Sequence, residues 1–196
     1  MHLNFTQVFT VILFSTILSL TNGYVYAKTE FNYKNIKAFI PDDYAIFDTA
    51  SGDFNEDGYT DYIIVLTRKN ETPNSSGERP LLLLAGLPKG KFELIARNDQ
   101  VVLCANCGGV FGDPYKKVSI SGQLITVEHS VGGTWQWSRS TTFRYDGQTR
   151  EILLQEDVTK SYKKYLSSRE KTIAVNNADF GNLPFASYSY HKGFQQ

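Results

Sequence analysis

Gly52-Asp53-Phe54-Asn55-Glu56-Asp57-Gly58-Tyr59-Thr60-Asp61-Tyr62-Ile63-Ile64-Val65-Leu66 decides how this chain is read. Asp53, Asn55, Asp57 and Asp61 put side-chain oxygens at positions 1, 3, 5 and 9 of one short loop, and Gly58 supplies the turn at position 6. Calcium wants about six to eight oxygen ligands, and this spacing wraps a chain around such an ion, with the backbone carbonyl of Tyr59 as a further donor. A helical calcium hand needs a bidentate Glu at position 12 and an exiting helix. Position 12 here is Ile64, inside a run of Ile and Val. β-Branched residues suit a strand. The entry, Tyr44 to Ala50 and then Ser51-Gly52, also reads as strand and turn, so the loop is expected to join two strands.

Over residues 44–67 this pattern resembles the calcium-binding loop of FG-GAP repeats, the blades of integrin-α-type β-propellers, and of related VCBS-type repeats in bacterial secreted proteins. The resemblance implies calcium as cofactor, held by Asp53, Asn55, Asp57, the Tyr59 carbonyl and Asp61. The chain carries one such loop where a propeller needs several blades. A metal-free Asx turn is the plainer reading of the same residues.

Further strands are expected at 80–86 and 91–98. Leu81-Leu82-Leu83-Leu84 is a continuous apolar run of strand length and should be buried on both faces. The segment from Lys69 to Arg79 is polar and reads as an exposed loop. Its Asn70-Glu71-Thr72 and Asn74-Ser75-Ser76 match the glycosylation pattern, which matters only in a eukaryotic source. In the second half, Ser121-Gly122, Gly132-Gly133 and Asp146-Gly147 punctuate a meander spanning 116–158. Ile125, Val127, His129 and Val131 share one face of a strand, and Trp135, Trp137, Phe143 and Tyr145 share one face of the next. The expected fold is all-β: two four-stranded antiparallel meanders, over 44–98 and 116–158, packed as a sandwich or partial propeller. In the tail, 159–196, Tyr162, Tyr165 and Leu166 have helical spacing, and residues from Asn176 on read as a surface loop or an added edge strand.

Residues 1–27 hold no Lys, Arg, Asp or Glu, and Val8 to Leu20 is apolar. The run is short for a bilayer span but suits a secretory leader, with cleavage expected after Ala27. Residues 28–196 would then form one β-rich domain in the periplasm or outside the cell, with no stable membrane insertion. The 20 basic and 20 acidic residues balance. Neutrality gives no electrostatic case for nucleic acid.

Cys104-Ala105-Asn106-Cys107 holds both cysteines of the chain. In an exported protein the default is a structural disulfide. A redox pair would want a following helix, which Gly108-Gly109 and Asp113-Pro114 break. A metal site would want further ligands, for which His129 and His191 are the candidates. His129, inward on its strand, reads as a satisfied core histidine. Trp135 and Trp137 form either a buried aromatic rib or a stacking platform for sugars. Arg139, of the same parity, is placed to lie over an aromatic ring or to close an ion pair. No catalytic constellation is legible. Three functions therefore stand open: a calcium-binding β-module that binds or scaffolds a protein or glycan partner, a periplasmic hydrolase or thiol–disulfide enzyme using the Cys104–Cys107 loop, and a carbohydrate-binding module using Trp135 and Trp137.

Overall fold

Among the described residues, nine strands form two antiparallel sheets, each a meander in which every strand pairs with its neighbour in sequence. The computed structural model describes residues 33–163, 166–176, 179 and 181–190. The leader expected over 1–27 and the candidate ligand His191 lie outside these residues. The first sheet contains β1 (Tyr44–Gly52), β2 (Asp61–Arg68), β3 (Arg79–Leu87) and β4 (Lys91–Val102). The second contains β5 (Tyr115–Ser121), β6 (Leu124–Gly132), β7 (Trp135–Asp146), β8 (Glu151–Lys163) and β9 (Leu166–Asn176).

The two sheets share one core. Ile63, Val65, Leu81 and Leu83 of the first sheet meet Ile125, Val127, Phe143 and Leu154 of the second, all with no exposed surface. Leu82, Leu84, Ile64 and Leu66 point the other way. They are covered by Ile36, in a single helical turn α1 (Tyr33–Ile36), and by Phe39 and Ile40 just after it. The four-leucine run is thus buried on both faces, as its lack of alternation requires. Each such leucine contributes about 1.5–3 kcal/mol by leaving water.

The tail corrects the sequence reading twice. Residues 166–176 form β9 against β8, so the second sheet has five strands, and the segment carrying Tyr162 and Leu166 is strand rather than helix. Residues 181–190 dip into the core between exposed stretches at 181–182 and 186–187. Phe185 and Tyr188 are buried in the shared core, stacking edge-on against Phe143 at 4.9 and 5.2 Å between ring centres. Asn98 fastens this segment, its Nδ2 donating to the carbonyls of Phe185 (2.6 Å) and Tyr188 (2.8 Å). No helix among the described residues is long and apolar enough to cross a membrane.

Candidate functional site

The loop between β1 and β2 is ordered by its own oxygens. Asp53 accepts from the backbone N–H groups of Asp57 (Oδ1, 3.1 Å) and Gly58 (Oδ2, 3.0 Å). Asn55 Oδ1 accepts from Asp57 N–H at 3.1 Å, and Asp57 Oδ1 from Tyr59 N–H at 2.8 Å. Glu56 and Gly58 take left-handed φ values of 60° and 85°, which close the turn. Asp61 is set apart from these. It is fully buried and accepts from the N–H groups of Phe54 (2.8 Å), Asn55 (3.4 Å) and Gly86 (2.8 Å). It therefore ties the loop to the end of β3. Burial raises its pKa, the three backbone N–H groups pull the other way, and the nearby Asp57 carboxylate adds to the rise.

All candidate calcium donors are oxygens, as the ion prefers. Asp61 is a desolvated carboxylate with no ion-pair partner among the described residues, a charge that a cation would compensate. The donor chemistry fits. No group of three or more Asp, Glu, His or Cys side chains is gathered for a metal among the described residues. An ion would thus rely on the Asn55 amide and the Tyr59 carbonyl beside the carboxylates.

At the other end of β3 lies a different feature. A cavity of about 520 Å3 opens where the strand begins and β4 ends. Val102, Leu103, Val131, Trp137 and Tyr190 give it apolar and aromatic wall, and Cys104 and Cys107 line it too. Glu78, Asp99 and Gln100 supply polar groups.

The loop over this cavity is clamped from several sides. A disulfide joins Cys104 and Cys107, with their Cα atoms 5.1 Å apart. Arg79 is 1% exposed. Its guanidinium binds Glu71, meets Asp113 at 2.7 and 3.0 Å, and reaches the Leu103 carbonyl at 3.4 Å. Leu103 N–H donates to His129 Nε2 at 3.1 Å. Asn106 Nδ2 donates to the Asn74 carbonyl at 3.0 Å. Gly108 lies so close to the loop's own backbone and to β6 that a Cβ there would meet Gly112 O at 2.1 Å and Val131 Cγ1 at 2.7 Å. A buried Arg–carboxylate cluster of this kind is weak evidence of stability, since desolvation offsets most of the attraction. What it does is hold one loop in one place.

His129 is a core histidine but only half satisfied: Nε2 has a partner, whereas the buried Nδ1 has none among the described residues. It is 2% exposed, and because Nε2 accepts a hydrogen bond, the ring's proton resides on Nδ1. Arg139 fulfils both of its expected roles: it pairs in parallel with Asp157 and lies 4.3 Å from the ring centre of Tyr190. Trp137 lines the cavity, whereas the side chain of Trp135 lies outside the described residues. Glu78, Asp99, Gln100 and Tyr190 carried no signal in the sequence. They meet only through the bend at the end of β4 and the return of the tail.

No family model, curated protein or solved structure matches this chain.

The disulfide closes a loop with a sequence separation of only 3, so it removes little entropy from the unfolded chain. A Cys104→Ser/Cys107→Ser variant is expected to fold and to lose about 2 kcal/mol or less in a urea titration. A loss well above that, or failure to fold, would show that the bridge holds more than its own loop.

Proposed function

We propose that this protein is an exported, calcium-binding β-module that holds a ligand in the cavity beside Cys104–Cys107. The observation that carries the ligand-binding reading is the clamping of residues 103–113 by Arg79, His129, Asn106 and the disulfide around a cavity of about 520 Å3. Binding sites are concave, mostly apolar and largely preformed, with a few fixed polar groups, and loops held on a rigid scaffold carry them. The enzyme reading is second. The cavity presents carboxylates, an amide and aromatic rings, while His129 gives its Nε2 lone pair to a backbone N–H instead of to a nucleophile.

Calcium would be held by Asp53, Asn55, Asp57, the Tyr59 carbonyl and Asp61, in keeping with the FG-GAP-like spacing. It would supply positive charge beside a buried carboxylate and lock the β1–β2 hairpin. Because the loop and the cavity lie at opposite ends of β3, the ion would act on stability and not on the ligand.

Calcium at a hundredfold excess over its dissociation constant is expected to stabilise the fold by about 2.7 kcal/mol relative to chelator. Calorimetry with and without EGTA measures this. Asp57→Ala should abolish most of the gain. Coincident melting curves for the wild type in calcium and in chelator would end the metal assignment. Export is checked separately by N-terminal sequencing of protein from its native host: Lys28 is the expected first residue, and an intact Met1 would refute cleavage of the leader.

A further inference from the structure

We propose that the cavity beside the disulfide binds a neutral saccharide, packed against Trp137 and hydrogen-bonded by Glu78, Asp99 and Gln100. The inference rests on the ligand-binding reading above and names the class of ligand.

The cavity joins two kinds of surface. Trp137, Val131 and Leu103 offer apolar wall, and the opposite chemistry comes from two carboxylates and an amide close together in the fold. A sugar ring is amphipathic in the same way: its C–H faces pack on aromatic rings, and its hydroxyl edge needs acceptors and donors in fixed directions. Those directions are set here. Asp99 is oriented by Arg97, whose Nε and Nη2 lie 2.6 and 2.9 Å from its two oxygens. Each carboxylate oxygen keeps a lone pair for a ligand hydroxyl. The bend that displays Asp99 and Gln100 is fixed from below by Asn98, whose Oδ1 accepts from Gln100 N–H and Val101 N–H, both at 2.7 Å. The same buried Asn98 fastens the tail through the carbonyls of Phe185 and Tyr188. One side chain thus holds in register both the polar rim and the segment that brings Tyr190 to the wall.

Charge separates a saccharide from its competitors. An anion would face Glu78 and Asp99 with no Lys, Arg or His among the described residues lining the cavity. An organic cation would want an aromatic ring with a free electron-rich face. The ring of Tyr190 already carries the Arg139 guanidinium at 4.3 Å and Arg97 offsets the charge of Asp99, which leaves a cation the Trp137 face and Glu78 alone, one ring and one charge where a cation-binding cage needs several. An apolar ligand would desolvate Glu78 and the Asp99–Arg97 pair without giving them a hydrogen bond, which is costly. A neutral ligand rich in hydroxyls satisfies the rim and covers the wall.

The test uses the whole calcium-loaded protein. A glycan array identifies the saccharide, and calorimetric titration with that saccharide gives the affinity. Tetramethylammonium, inorganic phosphate and an apolar fluorescent dye are titrated alongside. One saccharide class should bind saturably, about tenfold more weakly in Gln100→Ala, which removes a hydrogen-bonding group, and in Asp99→Asn, which turns one carboxylate acceptor into a donor. Trp137→Phe, which keeps an aromatic wall, should weaken binding less than Trp137→Ala, with melting temperature monitored for every variant. Saccharide binding untouched by all four substitutions would place it elsewhere and overturn the proposal. Binding of tetramethylammonium, phosphate or the dye without any saccharide would refute the saccharide and leave the ligand-binding reading standing. Silence from every probe would refute both.

Discussion

Asp157→Asn is expected to destabilise the protein by about 3–5 kcal/mol. Asp157 is 3% exposed and joins two fork-like hydrogen bonds to Arg139, itself 3% exposed. Tyr188 completes the cluster. Its hydroxyl donates to Asp157 Oδ2 at 2.7 Å and accepts from Arg139 Nη2 at 2.7 Å. Thr141 Oγ1 adds a longer bond to Asp157 at 3.3 Å. Asparagine keeps the shape but removes the charge, and it turns one acceptor into a donor that faces a guanidinium. The Arg139 cation then loses the carboxylate that faces it in the core, which costs far more than the intact pair contributes. A double variant, Arg139→Met/Asp157→Leu, removes both charges and should recover most of the loss. Urea unfolding of the three proteins measures this. A loss below about 1 kcal/mol for Asp157→Asn would mean that water reaches Arg139 and that the pair is not desolvated.

The fold was legible where local chemistry and tertiary context agree. Leu81 to Leu84 can be satisfied only by cover on both faces, and the structure supplies the opposite sheet on one and Ile36 on the other. The alternation Ile125, Val127, His129 leaves one register for β6, and these residues are 0%, 0% and 2% exposed. The tail was not legible, because its strands are made by their partners. β9 reads as Ser, Arg, Glu, Lys and Thr with little alternation, and it is strand because β8 offers an open edge. Pairing outweighs propensity there. Phe185 and Tyr188 sit in a short segment with no periodicity, and only the gap between β4 and β8 makes them core. The spacing of the 53–61 loop was plain, yet its unequal burial was not. Asp61 is the first residue of β2, so it points into the sheet end, while Asp57 stays on the exposed turn. The cavity could not be read at all, since Glu78, Asp99, Trp137 and Tyr190 come from four separate stretches.

Acid is expected to weaken the fold through His129 before general acid denaturation sets in. Burial is the main cause that holds its pKa at about 4, with the Arg139 guanidinium next; Arg79 acts in the same direction, and Asp113 and Asp157 oppose. Geometry agrees: a charged imidazole needs a proton on Nε2, where the Leu103 N–H already points, so two donors would collide. Tyr115 closes another side with its ring edge-on at 6.0 Å and offers no charge. A group whose folded pKa is depressed below its unfolded value stabilises the fold at high pH. For His129 that stabilisation is complete above about 6.5 and is lost as pH falls towards about 4. Over that range the loss amounts to about 3 kcal/mol. Asp61 works the other way, because its raised pKa makes protonation favour the folded state as pH falls. The measurement must therefore be a difference. Unfolding free energies of the wild type and His129→Gln are compared at pH 7, 5.5 and 4. Glutamine is neutral throughout and can still accept from Leu103 N–H. The wild type should lose about 3 kcal/mol more than the variant between the highest and lowest pH. Parallel pH profiles for the two proteins would show that His129 charges without penalty, and the account of it as a neutral pin beneath the disulfide loop would fall.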